Sequence, residues 1–186
     1  MLKKFGILFA IIILFFLGAS ISNTGQLDSP KEDIKPGLYH VEDISDGDTI
    51  KVKIAGKTET IRLIGIDTPE TKDPRTGVQC FGKIASEKMA HLVKDRWVRL
   101  EADTQSDDRD RYGRLLRYVY LEDGTFINQK MVEEGYAFAY TLYPNDKLEK
   151  FRDCERLARE NNRGLWSGCS VNETKQKKQT NLEATP

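Results

Sequence analysis

Two short acidic segments stand at the ends of predicted strands, where the packing of a core does not require charged residues. Asp46-Gly47-Asp48-Thr49 directly precedes a strand that begins at Ile50. Asp67-Thr68-Pro69-Glu70 directly follows a strand that ends at Ile66. If these strands pair as a hairpin, both segments meet at one edge, where clustered carboxylates repel one another unless a hard divalent cation binds. Oxygen ligands without a nearby His or Cys favour calcium or magnesium over zinc.

Two arginines add phosphate-binding chemistry to this edge. Arg62 interrupts an apolar strand and faces away from Ile61 and Leu63. Arg114 leads from a charged loop into another strand, and the planar guanidinium fork matches phosphate oxygens in a bidentate manner. Taken singly, each acidic segment is also compatible with a plain turn or a strand terminator. Together, a cation, a spare carboxylate such as Glu70 and two arginines are the parts needed to hydrolyse a phosphodiester.

The strands that must position these residues follow from alternation of apolar and charged residues. The run TIKVKIAGKTETIRLIGI predicts a β-hairpin over residues 49–66 that turns near Ala55-Gly56-Lys57, and LYHVEDI predicts a strand before it. Two further strands are predicted over RWVRLEAD and RLLRYVYLE.

Three helices complete the pattern. The first, FGKIASEKMAHLV, places Phe81, Ala85, Met89, Leu92 and Val93 on one face. The second, FINQKMVEEG, ends at a glycine, and the third is predicted from residue 146 to about residue 162, opened by a capping box. A helix between the third and fourth of five strands fits an α+β fold that is mainly β: a five-stranded OB-fold barrel with three helices.

The chain ends predict export. Residues 1–20, MLKKFGILFAIIILFFLGAS, place two lysines before an apolar run from Phe5 to Leu17, which is shorter than the roughly 20 residues that span a bilayer. We interpret this segment as a signal peptide, with an uncleaved N-terminal anchor as the alternative, so that the protein is secreted or tethered to the membrane. Residues 21–37 are interpreted as a linker and residues 169–186 as a disordered tail.

Charge and cysteine content narrow the possible partners. Removal of two lysines with the signal segment leaves 27 basic against 29 acidic residues, so a general polyanion-binding surface is not predicted. A nucleic-acid partner has to be held by local positive groups or by a bound cation.

The cysteines permit one disulfide. Export makes disulfides possible, and among three cysteines the pairs Cys154–Cys169 and Cys80–Cys169 are both open.

Five motifs in register resemble one family. They are Asp46-Gly47-Asp48-Thr49 and the runs RLIGIDTPET, GVQCFGKIAS, DRYGRLLRYVY and GLWS, and in this order and spacing they are similar to the thermonucleases, also called staphylococcal nuclease-like or micrococcal nucleases. The resemblance covers about residues 38–168. It implies a five-stranded OB barrel with three helices and calcium-dependent endonuclease activity. The implied substrates are DNA and RNA, preferably single-stranded or locally unpaired, with 3'-phosphate products; the implied state is a monomer without an obligate protein partner.

The same resemblance implies site residues. It places Ca²⁺ on the carboxylates of Asp48 and Asp67 and on the backbone carbonyl of Thr68. It implies that Glu70 is a catalytic general base that acts through a water. It also implies that Arg62 and Arg114 are catalytic residues that bind the phosphate. Tyr112 and Tyr140 match tyrosines near the nucleotide.

Two positions depart from the family pattern. Lys72-Asp73-Pro74-Arg75 is mixed in charge where family members often carry a lysine-rich loop. Leu142 stands where a tyrosine commonly follows the Tyr140 equivalent, and Tyr143 comes one position later. Both departures bear on nucleotide affinity and base preference.

Two other functions compete with catalysis. An OB module without activity would bind single strands by stacking bases on tyrosines, for which the candidates are Tyr112, Tyr118, Tyr120 and Tyr140. Clustered carboxylates argue against it, since they weaken the binding of a polyanion. A calcium-stabilised structural domain at the cell surface would explain the aspartates but would leave Arg62 and Arg114 without a task.

Overall fold

The computed structural model of the protein describes residues 35–72, 77–174 and 177–182. The predicted signal peptide or anchor over residues 1–20 and most of the linker over residues 21–37 lie outside the described residues. Within the described ranges, none of the helices has the length and apolar character needed to cross a membrane.

Five strands close a barrel in the order β1-β2-β3-β6-β5, and two pairs of short strands lie outside it. In chain order the strands are β1 (Tyr39–Asp46), β2 (Thr49–Ile54), β3 (Lys57–Leu63), β4 (Ile66–Asp67), β5 (Trp97–Glu101), β6 (Leu115–Leu121), β7 (Phe138–Ala139), β8 (Val171–Glu173) and β9 (Lys178–Thr180). The helices are α1 (Gly82–Val93), α2 (Ile127–Glu133), α3 (Leu148–Glu160) and the four-residue α4 (Leu165–Gly168). The predicted OB-type barrel with a helix after its third strand is thereby confirmed.

The β2–β3 hairpin forms in the predicted register. Its turn at Ala55 and Gly56 has positive φ at both residues, which is the backbone twist that suits a two-residue hairpin loop. Thr49 pairs with Arg62, so the start of β2 lies beside the end of β3. Beyond the ladder, the Leu63 N–H donates to the Asp48 carbonyl at 2.9 Å. The two acidic segments therefore begin at the same edge of the barrel.

The barrel interior and the inner faces of the helices share one core. Apolar residues that alternate with charged ones in the sequence are buried there, including Val41, Ile50, Val52, Ile61 and Leu63. Helix α1 packs on this core through Ala85, Met89, Leu92 and Val93, as its spacing predicts. Phe81 is the exception on that face: with φ 71° it precedes the helix instead of belonging to it, and its ring contacts that of Tyr136 at 5.5 Å.

Helix α3 begins at Leu148, and the predicted capping box at Asp146 is wrong. The Asp146 carboxylate accepts hydrogen bonds from the Thr104 N–H at 3.1 Å and from the Gln105 side-chain amide at 2.7 Å. Asp146 therefore ties the loop after β5 to the segment before α3. Its partners are 41 and 42 residues away in sequence, which a local capping pattern cannot indicate.

The C-terminal segment is the largest difference from expectation. Residues 171–173 and 178–180 pair as antiparallel β8 and β9, so the predicted disorder is wrong for these residues. Of the two open cysteine pairings, Cys80–Cys169 forms, and Cys154 remains a buried thiol. The disulfide and the hairpin's backbone hydrogen bonds supply the order that the polar composition does not predict, since they need few apolar side chains.

Candidate active site

The eight residues predicted for the site line a single cleft of about 730 Å³ at the edge of the barrel. They are Asp48, Arg62, Asp67, Thr68, Glu70, Tyr112, Arg114 and Tyr140. The β2–β3 hairpin, the β4 segment, the loop before β6 and the segment after β7 each contribute part of this set. The barrel topology thus brings together groups that are far apart in sequence.

The two acidic segments touch through Thr68. Its backbone N–H donates to Asp48 Oδ2 at 2.9 Å, and its hydroxyl lies 3.2 Å from the same oxygen. Gly47 permits this approach, because a Cβ at that position would lie 2.8 Å from Thr68 Cγ2. Pairing of β4 with β7, in which Asp67 lies opposite Phe138, holds the second segment in place.

Arg62 lies between the two segments and binds both. Its Nε is 3.1 Å from Asp48 Oδ1, and its Nη2 donates to Asp67 Oδ1 at 3.1 Å. Its Nη1 donates to the carbonyls of Leu63 and Ile66 at 2.6 and 2.9 Å. Burial disfavours the charged guanidinium, but the surrounding aspartates outweigh burial and hold the pKa of Arg62 above its usual value. The guanidinium is therefore fixed in position and always charged.

One arginine does not neutralise the carboxylates around it. Burial and the charge of Asp48 raise the pKa of Asp46 to about 7. The same two causes raise the pKa of Asp67 to about 6. Both shifts report negative charge in a poorly solvated place. A cation bound here would relieve that repulsion.

Calcium fits the donors that the site offers. Within the described ranges, no three His, Cys, Asp or Glu side chains are grouped so that they could hold a metal ion by themselves. Asp48 and Asp67 offer two carboxylates, and Thr68, whose N–H donates to Asp48, offers a backbone carbonyl. Calcium takes about 6–8 oxygen ligands and accepts carbonyls and waters among them, so this mixed set suits it better than it suits zinc.

Backbone hydrogen bonds position Glu70. Its Oε1 accepts from the N–H groups of Thr71 and Lys72, both at 2.8 Å. Gln79 holds the main chain: its side-chain carbonyl accepts from the Glu70 N–H at 3.0 Å, and its own N–H donates to the Glu70 carbonyl at 2.8 Å. Sequence reasoning missed Gln79, although this buried polar residue precedes Cys80 in the motif GVQCFGKIAS.

Asp110 positions the second arginine and was also missed. Its Oδ2 lies 2.7 Å from both Nε and Nη2 of Arg114. Its Oδ1 accepts from the backbone N–H groups of Tyr112 and Arg114 at 2.9 and 3.0 Å. Burial would raise the pKa of Asp110, but these bonds outweigh it and lower the pKa. The spacing of Asp110 and Gly113 in DRDRYGR is a turn signal that could have indicated this role.

Tyrosines from two separate segments line the cleft. Tyr112, in the loop before β6, is 68% exposed. After β7, the Tyr140 N–H donates to the Gly65 carbonyl at 2.9 Å, and the Tyr140 ring lies 6.0 Å from that of Tyr143. Tyr143 also lines the cleft. A pair of tyrosines is therefore present although Leu142 occupies the expected position.

The other two tyrosines proposed for a stacking platform do not reach the cleft. Tyr118 is fully buried in the core. Tyr120 stacks on Phe126 with ring centroids 4.5 Å apart. Only Tyr112 and Tyr140 of the four candidates line the cleft, so the structure weakens the case for a purely stacking-based binding module.

Lys177 also lines the cleft. It was not predicted as a site residue, because the tail that contains it was interpreted as disordered. It lies in the turn between β8 and β9 and lines the cleft together with Asp67. Its charge partly offsets the burial and the charge of Asp48 that raise the pKa of Asp67. The C-terminal hairpin therefore contributes a cation to the same surface as the predicted site.

Several known proteins are similar in sequence to this chain. The sequence model of the family described as Staphylococcal nuclease homologue matches residues 60–168. A thermonuclease of Staphylococcus intermedius is 40% identical over 159 residues, which cover 84% of this chain and 91% of that protein. Endonuclease YncB of Bacillus subtilis (strain 168) is 44% identical over 124 residues, which cover 66% of this chain and 58% of YncB. A thermonuclease of Staphylococcus hyicus is 42% identical over 130 residues, or 69% of this chain and 75% of that protein.

Proposed function

The chain belongs to the staphylococcal nuclease homologue family, and from this membership we propose that it is a calcium-dependent endonuclease that hydrolyses phosphodiester bonds of DNA and RNA. The products carry 3'-phosphate ends. One observation carries the proposal: the predicted acids, arginines and tyrosines line one cleft, with Arg62 held between Asp48 and Asp67. A nucleic-acid-binding module would gain nothing from acids at its centre.

The residues divide the chemistry among them. Glu70 accepts a proton from the water whose oxygen attacks phosphorus, while Arg62 and Arg114 donate hydrogen bonds to the non-bridging oxygens. Asp48, Asp67 and the Thr68 carbonyl would hold calcium, which would supply positive charge beside the phosphate. The new bond joins water oxygen to phosphorus. The bond from phosphorus to the 5'-oxygen breaks, and the departing 5'-oxygen takes a proton from solvent water.

Fixed positive charge carries most of the rate enhancement in this scheme. Preorganised donors aimed at developing charge are worth about 10²–10³ in rate each. Arg62 meets the requirement, because two aspartates and two backbone carbonyls fix its guanidinium. Asp110 fixes Arg114 in a comparable way. Neither arginine has to reorganise its own position when charge builds on the phosphate.

Export of the protein, in secreted or membrane-tethered form, is part of the proposal. The Cys80–Cys169 disulfide supports it, since such bonds form and persist mainly in oxidising compartments. We also propose a monomer that acts without an obligate protein partner and prefers single-stranded or locally unpaired substrate.

The deciding experiment is cleavage of single-stranded DNA by the purified protein in calcium and then in chelator, for wild type, Arg62→Lys and Arg99→Lys. We expect calcium-dependent cleavage that falls about 10²–10³-fold in Arg62→Lys, because lysine keeps the charge and loses the fork. Arg99 lies on β5 and does not line the cleft, so Arg99→Lys should match wild type. Folded, calcium-loaded wild type that binds the strand without cutting it would establish the binding module instead.

The ends of the products test the direction of bond breaking. If the 5'-oxygen leaves, the fragments carry 3'-phosphates, and a DNA polymerase extends them only after phosphatase treatment. Extension without phosphatase would show that the other bond breaks.

A further inference from the structure

The cleft continues beyond the predicted catalytic groups. A smaller depression of about 150 Å³ lies next to it and shares three lining residues with it, Asp67, Tyr140 and Lys177. Arg62, Glu70 and Arg114 line the larger cleft but not the smaller depression. Lys177 therefore lies where the cleft meets the smaller depression.

The hairpin that carries Lys177 is firmly anchored to the domain. The Cys80–Cys169 disulfide holds its first strand, and the Cys80 N–H donates to the Asn181 carbonyl at 2.7 Å behind its second strand. Lys178 pairs with Glu155 on α3 at 2.5 Å, and both side chains are about 12% exposed. The two strands that flank Lys177 in the chain are therefore tied to the rest of the domain.

The side chain of Lys177 is available to bind a ligand. Lys177 is exposed, whereas its neighbour Lys178 forms a largely buried ion pair. Among the described residues, no carboxylate lies within ion-pair distance of the Lys177 ammonium. Its backbone is held by Thr174, whose hydroxyl accepts from the Lys177 N–H at 3.0 Å. A cation that lines a cleft and forms no ion pair with a described residue is suited to an anionic ligand.

We propose that Lys177 binds a phosphate of the substrate strand next to the scissile one, so that the C-terminal hairpin is part of the nucleic-acid site. The inference rests on the proposed nuclease function. It predicts a contact that helps binding of longer strands and takes no part in bond breaking.

The first test compares Lys177→Ala with Lys57→Ala on an eight-nucleotide single strand and on a dinucleotide that has one phosphodiester. Lys57 is a matched control, because it is exposed, follows a hairpin turn and does not line the cleft. For the longer strand we expect the KM of Lys177→Ala to rise about 3–10-fold with kcat within about twofold. On the dinucleotide, Lys177→Ala should equal wild type. Equal losses on both substrates, or no loss on either, would overturn the proposal.

A binding measurement separates this inference from the proposed function. In chelator, where cleavage is prevented, fluorescence anisotropy gives the dependence of the binding constant on salt. Each phosphate contact to a single strand contributes about 0.7 to the slope of log K against log salt, so Lys177→Ala should lower the slope by about that amount and Lys57→Ala should not. A lowered slope in a protein that cuts nothing would keep the phosphate contact and reject the nuclease. An unchanged slope in an active nuclease would reject the contact alone.

Discussion

At the scale of single residues, Glu70 is held by two kinds of contact that a substitution can separate. Its Oε1 accepts two backbone N–H groups, and its main chain is bonded to Gln79. Glutamine at this position can still accept both N–H groups through its amide oxygen, but it cannot take a proton from water. Glu70→Gln therefore tests the base role without dismantling the loop.

For Glu70→Gln we expect kcat to fall about 10²–10⁴-fold, the usual range for a lost general base, with little change in KM. Single-turnover cleavage of a single-stranded oligonucleotide measures the effect. Glu87→Gln, on the exposed side of α1, is the control. Near wild-type turnover in Glu70→Gln would limit Glu70 to ordering its loop.

Asp103 is a buried acid whose role is structural. It accepts hydrogen bonds from the Tyr118 hydroxyl, from the Asp146 N–H at 2.8 Å and from the Gln105 N–H at 2.9 Å. Burial would raise the pKa of Asp103, but these bonds outweigh it and lower the pKa. A lowered folded-state pKa stabilises the protein above the ordinary pKa of about 4, and that contribution is lost as the pH falls through the folded value.

Asp103→Asn should therefore lower the free energy of unfolding at pH 7 by about 1–3 kcal/mol, the cost of weakening buried hydrogen bonds to a charged group. Urea unfolding at pH 7 and at pH 3 measures the difference. The gap between wild type and variant should shrink at pH 3, because the unfolded wild-type chain then binds a proton at Asp103 and the stabilising effect of the lowered pKa is partly lost. A gap that is the same at both pH values would contradict the sign of the pKa shift.

At the scale of elements, the close approach of the two acidic segments depends on a residue without a side chain. Gly47 turns from β1 into β2 against Thr68, and an added Cβ would meet three of the Thr68 side-chain atoms at 2.8–3.0 Å. Either the segments move apart or Thr68 rotates. Both changes disturb the Thr68 contacts to Asp48, and Asp48 is a proposed calcium ligand.

Gly47→Ala should weaken calcium binding about 10-fold or more, as loss of outer contacts around metal ligands usually does. The rise in Tm with added calcium reports the affinity. Gly168→Ala is the matched control, since a Cβ there meets nothing within 4 Å. If Gly47→Ala responds to calcium as wild type does, the approach of the segments does not set the site.

Elements with strong local signals were predictable, and those built by distant partners were not. The β2–β3 hairpin and the buried face of α1 follow from periodicity, because burial of one face dictates which positions are apolar. The start of α3 was misplaced, because Asp146 bonds to the loop after β5 and not to its own helix. The β8–β9 hairpin was missed, because a disulfide and backbone pairing order it without an apolar pattern.

The site was more predictable than its support. Residues that bear charge at strand ends were identified from type and spacing, and all of them line the cleft. Gln79 and Asp110, which position Glu70 and Arg114, act through hydrogen bonds that no pattern in one sequence announces. Lys177 could not be assigned to the cleft from the sequence, because nothing in the polar tail indicates that it pairs as a hairpin beside the site.

At the scale of the whole molecule, basic and acidic residues are equal in number, but several acidic residues cluster at the site. The chain has 29 basic and 29 acidic residues, yet Asp46, Asp48 and Asp67 gather around Arg62. The raised pKa values of Asp46 and Asp67, about 7 and about 6, mean that the ionised forms are disfavoured in the folded protein. The two carboxyl groups therefore make their full contribution to the stability of the fold at low pH, where they are protonated. That contribution is lost as the pH rises through their folded-state pKa values.

In chelator, the contribution of this cluster should therefore lower Tm as the pH rises from 5 to 7.5. Calcium should raise Tm more at pH 7.5 than at pH 5, because protons compete with the cation for the same carboxylates. Scanning calorimetry at both pH values, with calcium and with chelator, measures the effect. A calcium-induced shift in Tm that is larger at pH 5 would contradict it.

The position of the C-terminal hairpin makes completion of the cleft depend on parts of the chain that are far apart in sequence. Residue 177 follows both acidic segments, so it is synthesised after them. The bond between Cys80 and Cys169 then has to close across 89 residues before the hairpin is secured. A chain in which this disulfide is reduced loses one anchor of the hairpin that carries Lys177. If the protein is exported as proposed, the disulfide that secures the hairpin forms and persists in the oxidising compartment outside the cytosol, and the proposed phosphate contact of Lys177 is completed there.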